Sequence, residues 1–407
     1  MKIAIIVDSF PALSETFILN QITGLIDLGH QVEIFAGGGP HDSRVHPEID
    51  QYHLLEHTHY IHTKPAGKLK RLIGALSIVP ACLKRNLPAT LHSLNIIRYG
   101  AEALSLNLLY KLKSFLAAGS FDILSCHFGP NGLTGILLKE LGIPGKVITT
   151  FHGYDLSSYP LRHGPKVYEK LFHRGDLFLP ISDFWKTRLI SLGCPPERIS
   201  VHHMGIDLNK FQFKTRSLSP GGSIHLLTIA RLVEKKGLYY SIKAVSKVLH
   251  AHPNLEYAIV GDGPLRQELS DLIKHLGVAE KVKLLGWKDA TAIRDILDGT
   301  HIMLLHSIIS KSGDMEGIPV SLMEAMAMGI PVISTRHSGI AELVKHGQSG
   351  FLVAEKDIDD MAEKINRMIR NPDILPEMGI AGRRFVEANF NVETLNRQFI
   401  QLCQSLL

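Results

Sequence analysis

The strongest constraint on the fold is an alternation of short β-branched apolar runs with segments of helical periodicity, which passes through the chain twice. The first series starts with KIAIIVD at residues 2–8 and extends to DLFLPIS at residues 176–182. The second starts with IHLLTIAR at residues 224–231 and extends to FLVAE at residues 351–355. Because strands that alternate with helices form parallel sheets, the sequence predicts an α/β protein with two Rossmann-like domains that face a central cleft.

A stretch at residues 201–222, which holds Gly205 and a Pro-Gly-Gly run, has the composition of a hinge and linker. We therefore predict an N-terminal domain over residues 1–205 and a C-terminal domain over residues 206–387. With 407 residues, 45% of them hydrophobic, the chain is long enough for each domain to have its own core. Open α/β sheets bind ligands at the carboxyl ends of their strands, so we expect the functional site in the cleft.

Composition excludes several classes of protein. The formal net charge of +5 is divided almost evenly between the two domains, and neither is basic enough to predict nucleic-acid binding. The longest nearly uncharged apolar run, at residues 72–83, is shorter than the roughly 20 residues that cross a bilayer. The four cysteines are widely separated, and no signal peptide precedes the Met-Lys-Ile start, so we expect a cytoplasmic protein.

The most informative motif is EGIPVSLME, which places Glu316 and Glu324 eight positions apart. Pro319 is favoured at a first helical position, so Glu316 is predicted in a loop and Glu324 inside the following helix. Eight helical residues span about 12 Å, wider than a glycosidase carboxylate pair, so the two acids are expected to differ in role. A loop glutamate can accept hydrogen bonds from sugar hydroxyls, and Glu324 can accept them from a ribose. The alternative is that both are solvent-facing helix residues.

Two cations lie in the same predicted domain, in TIARLVEKKG. Arg231 follows a strand directly, and Lys236 precedes the Gly237 that opens a helix. Cations at such a turn suit a diphosphate, although single ones are more often surface charges. Their occurrence together with EGIPVSLME favours the functional interpretation.

These motifs and their order resemble those of glycosyltransferase family 4, particularly its bacterial exopolysaccharide and colanic-acid members. The resemblance rests on ARLVEKKG, VGDGP and EGIPVSLME, and on SFPALSETFILNQ, TTFHGYDLS, LPISDFW and MGID nearer the N-terminus. It covers essentially the whole chain, including a final helical segment, residues 388–407, of the kind that crosses back to the N-terminal domain in such enzymes. It implies the two-domain GT-B fold and a nucleoside-diphosphate sugar, a uridine one, as the donor of a hexose.

The resemblance also implies roles for individual residues on the donor side. The pair Arg231 and Lys236 would hold the donor diphosphate and stabilise the leaving group, while Glu316 would contact the donor sugar and Glu324 the ribose. The donor site would also include the residues that follow Glu316, namely Gly317, Ile318 and Pro319.

On the N-terminal side, the residue singled out is His152 in TTFHGYD, which ends a strand and precedes a glycine. The chain has 22 histidines, so a lone one is more often structural. The resemblance implies that His152 contacts the donor sugar near the reacting carbon, and that Asp155 orients it or meets the acceptor together with Tyr154. The first turn, SFPALSET, lacks the family's usual glycines, and Ser14 with the amides after it would take over the phosphate contact.

Neither a metal nor another cofactor is expected. The Asp-x-Asp match, Asp357 and Asp359, is better interpreted as the acidic first turn of a helix. Charge on the departing diphosphate would then be met by Arg231, Lys236 and a helix dipole, and substitution with retention is what the family implies. Alternatives are a nucleotide-sugar 2-epimerase of similar architecture and a non-catalytic sugar-binding protein. No G-x-G-x-x-G motif opens either domain, which argues against a dehydrogenase.

A basic segment at residues 57–101 contains seven Lys or Arg and no Asp or Glu, around the apolar run LIGALSIVPACL. This pattern suits a surface that lies on anionic lipid. The alternative is an ordinary solvated face with a buried helix. Since the resemblance implies a lipid-linked saccharide acceptor, the sequence predicts a peripheral enzyme at the inner face of the cell membrane.

Overall fold

The computed structural model describes residues 1–40, 45–61 and 65–407. The strands form two six-stranded sheets, ordered β3-β2-β1-β4-β5-β6 and β12-β11-β10-β7-β8-β9, and every pair is parallel. Both orders are the 3-2-1-4-5-6 order of a Rossmann fold. The predicted α/β class with two Rossmann-like units is confirmed.

The first sheet consists of β1 Lys2–Ser9, β2 Gln31–Gly38, β3 Thr58–Tyr60, β4 Ile123–His127, β5 Lys146–Phe151 and β6 Leu177–Pro180. Its helices are α1 Thr16–Asp27, α2 Glu48–Gln51, α3 Lys68–Arg85, α4 Leu87–Ser93, α5 Ile96–Leu104, α6 Asn107–Ala118, α7 Gly129–Leu141, α8 Ser158–His163, α9 Glu169–Arg174 and α10 Asp183–Ser191.

The second sheet consists of β7 Ile224–Ile229, β8 Leu255–Val260, β9 Val282–Gly286, β10 Ile302–Leu305, β11 Val332–Thr335 and β12 Gly350–Val353. Its helices are α11 Leu238–Leu249, α12 Arg266–His275, α13 Ala290–Asp298, α14 Val320–Ala327, α15 Ile340–Leu343, α16 Ile358–Arg370 and α17 Ile374–Asn389, and the last helix of the chain is α18 Val392–Gln404.

The central strands are apolar on both faces because helices cover both sides of each sheet. Strand β1 buries five consecutive residues, Ile3 to Val7, and β10 is buried throughout. The loops after β1, β5, β7 and β10 carry the polar residues of the site, since ligand sites of such sheets lie beyond the carboxyl ends of the strands.

Helix α18 packs against α1 of the first domain, as expected for the predicted 388–407 segment. Its inward side chains Phe399, Ile400 and Cys403 join the core formed by β1 and α1. A parallel bridge between Ile206 and Asn391 joins the two places where the chain passes between the domains. The C-terminus therefore contributes core residues to the N-terminal sheet.

Two expectations about helices are refined. Pro319 is the N-cap of α14 and not its first helical residue, because its ψ of 120° is extended. Helix α11 likewise starts one residue after Gly237. Within the described residues, no helix combines the length and the apolar character needed to cross a membrane.

Candidate active site

The loops that carry the predicted residues of the two domains meet in the cleft. The loop that begins at Glu316 packs directly against the end of β5 at His152. A Cβ atom added to Gly317 would lie 2.4 Å from the carbonyl oxygen of His152, so this close approach requires glycine. The amide of Met315 also lies 3.4 Å from the Ser157 hydroxyl oxygen across the cleft. The structure therefore brings Glu316 and His152 into one site.

Lys236 and Glu316 form an ion pair in the C-terminal half of this site, with 2.5 Å between Lys236 Nζ and Glu316 Oε2. The turn that places Lys236 ends at Gly237, whose φ of +59° and 1.7 Å Cβ clearance from the carbonyl oxygen of His306 exclude other residues. Burial alone would raise the pKa of Glu316, but Lys236 and Lys235 outweigh it and lower that pKa to about 2. The pair is therefore ionised at neutral pH. Burial also lowers the pKa of Lys236, against the attraction of Glu316.

Arg231 follows β7 and remains exposed at the cleft surface. It lies close enough to Glu15 of the N-terminal domain to lower the pKa of that carboxyl. Burial and the neighbouring Asp8 act more strongly in the other direction and raise the pKa of Glu15 to about 7. A cation of one domain thus lies near a carboxyl of the other.

Glu324 lies on α14, eight residues beyond Glu316, as the sequence predicts. Burial raises its pKa to about 7, and no charged neighbour contributes. Its carboxyl therefore differs from that of Glu316, which keeps its charge through Lys236. The N-cap of α14, Pro319, makes no side-chain cap hydrogen bond, so the helix start offers unpaired N–H groups to an anion.

His152 is buried between Phe17 and Phe128, with ring centroids 4.8 and 4.5 Å away. Its Nε2 lies 3.1 Å from Nδ1 of His127, and its Nδ1 has no hydrogen-bond partner among the described residues. Burial, with a smaller effect of His127, moves the pKa of His152 well below its usual range. The ring is therefore neutral. It is enclosed by its neighbours and does not point freely into the cleft.

Asp155 supports the loop that carries His152. Its carboxylate accepts backbone N–H groups from His152 at 3.1 Å, Gly153 at 2.8 Å and Gly129 at 3.0 Å. Burial raises the pKa of Asp155 to about 6 against these hydrogen bonds. Of the two roles expected for Asp155, this geometry matches orientation of His152, and it acts through the backbone. Tyr154 donates from its hydroxyl to Asp8 at 3.3 Å.

Ser14 is exposed in the turn before α1 and does not cap that helix. The N-cap is Glu15, which makes no side-chain cap hydrogen bond. Among the amides of the first turn of α1, that of Ile18 donates to the carbonyl oxygen of Glu15 at 3.0 Å, and the Ser14 hydroxyl bonds to none of them. Sequence reasoning missed Asp8, near the end of β1, and Glu15, in the loop after it, although the strand-end rule directs attention there.

The described residues contain no group of three His, Cys, Asp or Glu side chains that could hold a metal ion. Asp357 is the N-cap of α16 and accepts the N–H of Asp360 at 2.9 Å. Asp359 pairs with Lys247 at the surface. The Asp-x-Asp match therefore has the helix-start role predicted for it.

Family descriptions match both domains of the chain. The family description "Glycosyltransferase Family 4" matches residues 14–210, and "Glycosyl transferases group 1" matches residues 209–385. The chain is 40% identical to a putative colanic acid biosynthesis glycosyltransferase, WcaL, of Salmonella typhimurium. It is 39% identical to the amylovoran biosynthesis glycosyltransferase AmsK of Erwinia amylovora. Both alignments cover 100% of each chain.

Among solved structures, the chain is similar to Anabaena Alr3699/HepE in complex with UDP-glucose, with a TM-score of 0.72, 18% identity and 100% coverage of both chains. It is also similar to the lipopolysaccharide outer core galactosyltransferase WaaB, with a TM-score of 0.68 and 20% identity over 100% of both chains. At these identities the similarity shows the two-domain fold alone.

Proposed function

Because the chain belongs to glycosyltransferase family 4, we propose that it transfers a hexose from a nucleoside-diphosphate sugar, a uridine one, to a saccharide. The proposal includes retention of the anomeric configuration and independence of metal ions. The Lys236–Glu316 ion pair carries it, because it puts a cation and a carboxylate together at the carboxyl ends of β7 and β10. The burial of both side chains, 11% and 13% exposed, keeps water from weakening the pair.

The donor diphosphate would replace Glu316 as the partner of Lys236. Arg231, exposed at the same cleft, would take the second position on the diphosphate, where a guanidinium matches phosphate oxygens. The released Glu316 carboxylate can then accept hydrogen bonds from hydroxyls of the donor sugar. The uncapped start of α14 adds N–H donors for the same charge.

Glu324 is suited to the ribose of the donor. A partly buried carboxyl whose pKa is not lowered by any charged group of the described residues gains from a ligand that donates hydrogen bonds to it. The neutral His152 can give or take one hydrogen bond at the sugar but holds no charge to offer. Stabilisation of the leaving group therefore rests on the cations of the C-terminal half.

The relatives named for colanic acid and amylovoran biosynthesis support a role in bacterial exopolysaccharide biosynthesis. We extend the proposal to a lipid-linked saccharide acceptor at the inner face of the cell membrane. The supporting feature is an apolar face on α3 to α5, defined by exposed side chains of the N-terminal domain. Its members are Leu69, Leu72, Ile73, Leu76, Leu87, Leu91, Ile96 and Ile97.

This apolar face is unusual for a soluble surface. Leu76 is 72% exposed and Ile97 fully exposed, whereas α3 buries only Ala75, Ile78 and Cys82. The alternative of a buried helix therefore accounts for one side of α3 only. Cations of the basic segment lie on the same helix, namely Lys68, Lys70, Arg71, Lys84 and Arg85, while Lys64 lies outside the described residues. Exposed apolar side chains with interspersed cations suit an anionic bilayer surface.

The donor is tested by hydrolysis of a panel of nucleotide sugars with the purified full chain. We expect slow release of UDP from at least one UDP-sugar, and stabilisation by UDP in a thermal shift assay. Release of GDP from a GDP-sugar alone would correct the nucleotide. If no member of the panel is hydrolysed and none stabilises the protein, the transferase proposal is contradicted.

The membrane proposal is tested by flotation with anionic liposomes at low and high salt. The wild type should rise at low salt and stay behind at high salt, because each cation near the headgroups contributes about 1 kcal/mol and salt screens it. A Leu72→Glu/Leu76→Glu variant should lose flotation, whereas the control Ile380→Glu, on α17 of the other domain, should keep it. Equal flotation of both variants, or none by the wild type, would contradict the membrane proposal and leave the transferase proposal standing.

A further inference from the structure

A buried histidine holds the backbone of the loop that carries Glu316. The amide of Glu316 donates to Nε2 of His337 at 2.9 Å. On the other side of the ring, Nδ1 of His337 lies 2.7 Å from Oε1 of Glu355. The His337 side chain is fully buried, so water cannot substitute for either contact.

The two neighbours specify one tautomer of His337. Because the backbone N–H of Glu316 can only donate, Nε2 must accept and carries no proton. The proton is then on Nδ1, from which it is donated to the carboxylate of Glu355. A ring with its proton on Nε2 would direct two N–H groups at each other and release the Glu316 loop.

Glu355 also connects this histidine to a third loop. Its second oxygen, Oε2, accepts the N–H of Ile309 at 2.9 Å. The amide of Ile308 in turn donates to the carbonyl oxygen of Lys235, the residue before Lys236. The contacts thus join the loops after β10, β11 and β12, three adjacent strands of the second sheet, to both members of the Lys236–Glu316 pair.

We propose that His337 and Glu355 are positioning residues that set the Glu316 loop for the donor sugar, with His337 held as the neutral Nδ1–H tautomer. This proposal rests on the proposed function, because the proposed function assigns the donor sugar as the ligand of the Glu316 loop. Neither side chain needs to touch the donor. Their contribution is the place and orientation of the Glu316 backbone, which Ser338 supports by donating to the carbonyl oxygens of Glu316 at 2.7 Å and Gly317 at 3.0 Å.

The informative variant is Glu355→Gln, because an amide cannot accept from both His337 and Ile309. If its NH₂ group faces His337, the ring proton moves to Nε2 and opposes the Glu316 amide. If its oxygen faces His337, the Ile309 contact is lost. Loss of comparable outer-shell partners costs about 10–100-fold in activity, and we expect a fall of that size in kcat. Affinity for UDP should fall by less than kcat does, since the proposed nucleotide contacts of Arg231, Lys236 and Glu324 are made by side chains that Glu355 does not bond.

The matched control is Glu363→Gln, the same exchange at a surface glutamate of α16. At His337, the variant His337→Gln keeps an acceptor near the Nε2 position and should retain more kcat than His337→Leu. Equal kcat in Glu355→Gln and the control would overturn the proposal. Parallel losses of kcat, UDP affinity and Tm in Glu355→Gln would also overturn it, because they indicate a purely structural role.

A ligand-free readout separates this proposal from the transferase assignment. Histidine ¹⁵N NMR on the full chain should show His337 protonated at Nδ1 in the wild type, and a changed tautomer or a broadened signal in Glu355→Gln. A wild-type ring protonated at Nε2 would contradict the proposal whatever the activity. A correct tautomer in a protein that hydrolyses no nucleotide sugar would instead count against the proposed function.

Discussion

The two sides of the cleft hold their polar groups in opposite ways. On the C-terminal side, Lys236 and Glu316 keep their charges because each neutralises the other in a nearly buried pair. On the N-terminal side, burial keeps two histidines uncharged, since it lowers the pKa of His127 to about 3 and that of His152 well below its usual range. We propose a division of labour, in which the C-terminal cations would stabilise a charged leaving group and the neutral histidine His152 would face the sugar.

The largest effect is expected from variants that remove a cation from the C-terminal side. Replacement of Arg231 or Lys236 by alanine should lower kcat by about 10²–10³-fold, as for deletion of one preorganised donor to a developing charge. Lys247→Ala, an exposed lysine on α11, is the control and should keep the wild-type rate. Steady-state hydrolysis and transfer rates give the comparison. Near wild-type rates in both Arg231→Ala and Lys236→Ala would show that these cations do not meet the diphosphate.

Tm measurements should accompany these rates, because the two cations differ in the folded state. Lys236→Ala leaves the buried carboxylate of Glu316 unpaired, which is a destabilising change. That loss should be present at neutral pH and disappear in acid, because the lowered pKa of Glu316 makes its contribution to stability vanish as pH falls toward 2. Arg231 is exposed, so Arg231→Ala should leave Tm unchanged and gives the cleaner kinetic result.

The neutral side can be tested by histidine NMR across pH 5–8. His127 and His152 should remain neutral throughout, because burial opposes protonation of both rings. Exposed histidines of the same chain serve as internal references. Protonation of His152 near pH 6.5 would remove the contrast between the two sides.

Glu324→Gln sharpens the comparison, because Glu324 is a side-chain carboxyl of the C-terminal domain that lacks the cationic partner of Glu316. Its raised pKa means that the folded state binds the proton more tightly, so the cost of its charge is absent below pH 4.5 and complete above about pH 7. The variant should therefore raise Tm by a few degrees at pH 8 and leave it unchanged at pH 4. It should also weaken UDP binding. A lower Tm at pH 8 would show that the carboxylate has a stabilising partner.

Chelation should have the smallest effect. If Arg231 and Lys236 meet the leaving group, activity should survive EDTA at a level close to the untreated enzyme. The assay is product formation after dialysis against EDTA, with and without added Mg²⁺ or Mn²⁺. If EDTA abolishes turnover and either ion restores it, a metal ion must share with the two side chains the stabilisation of the leaving diphosphate.

The sequence predicts the elements better than the contacts between them. Period-2 and period-3.6 patterns are local, which is why both sheets and helix α14 lie where expected. The strand-end rule also directs attention to the loops that carry Arg231, His152 and Glu316. The Lys236–Glu316 ion pair depends on how two loops eighty residues apart fold together, and no local pattern encodes that distance.

Two residues show the same limit on the N-terminal side. The resemblance leaves Asp155 with two possible roles, and no sequence pattern predicts the three backbone N–H groups around its carboxylate. Glu15 lies in a loop that the strand-end rule singles out, but only the fold brings it near Arg231. For α3, the apolar run leaves both a lipid-facing surface and a buried helix open, and the helix turns Leu72, Ile73 and Leu76 outward. Which side of an apolar helix is covered depends on its neighbours and not on its own sequence.

The most direct test of the division of labour is calorimetric titration of UDP into the wild type, Arg231→Ala and His152→Ala, combined with kcat for the same proteins. The account predicts that Arg231→Ala loses UDP affinity and kcat together, because its guanidinium meets the diphosphate. His152→Ala should bind UDP as the wild type does and lose kcat only, since its neutral ring contacts the sugar and not the nucleotide. Equal losses of UDP affinity in the two variants would contradict the account.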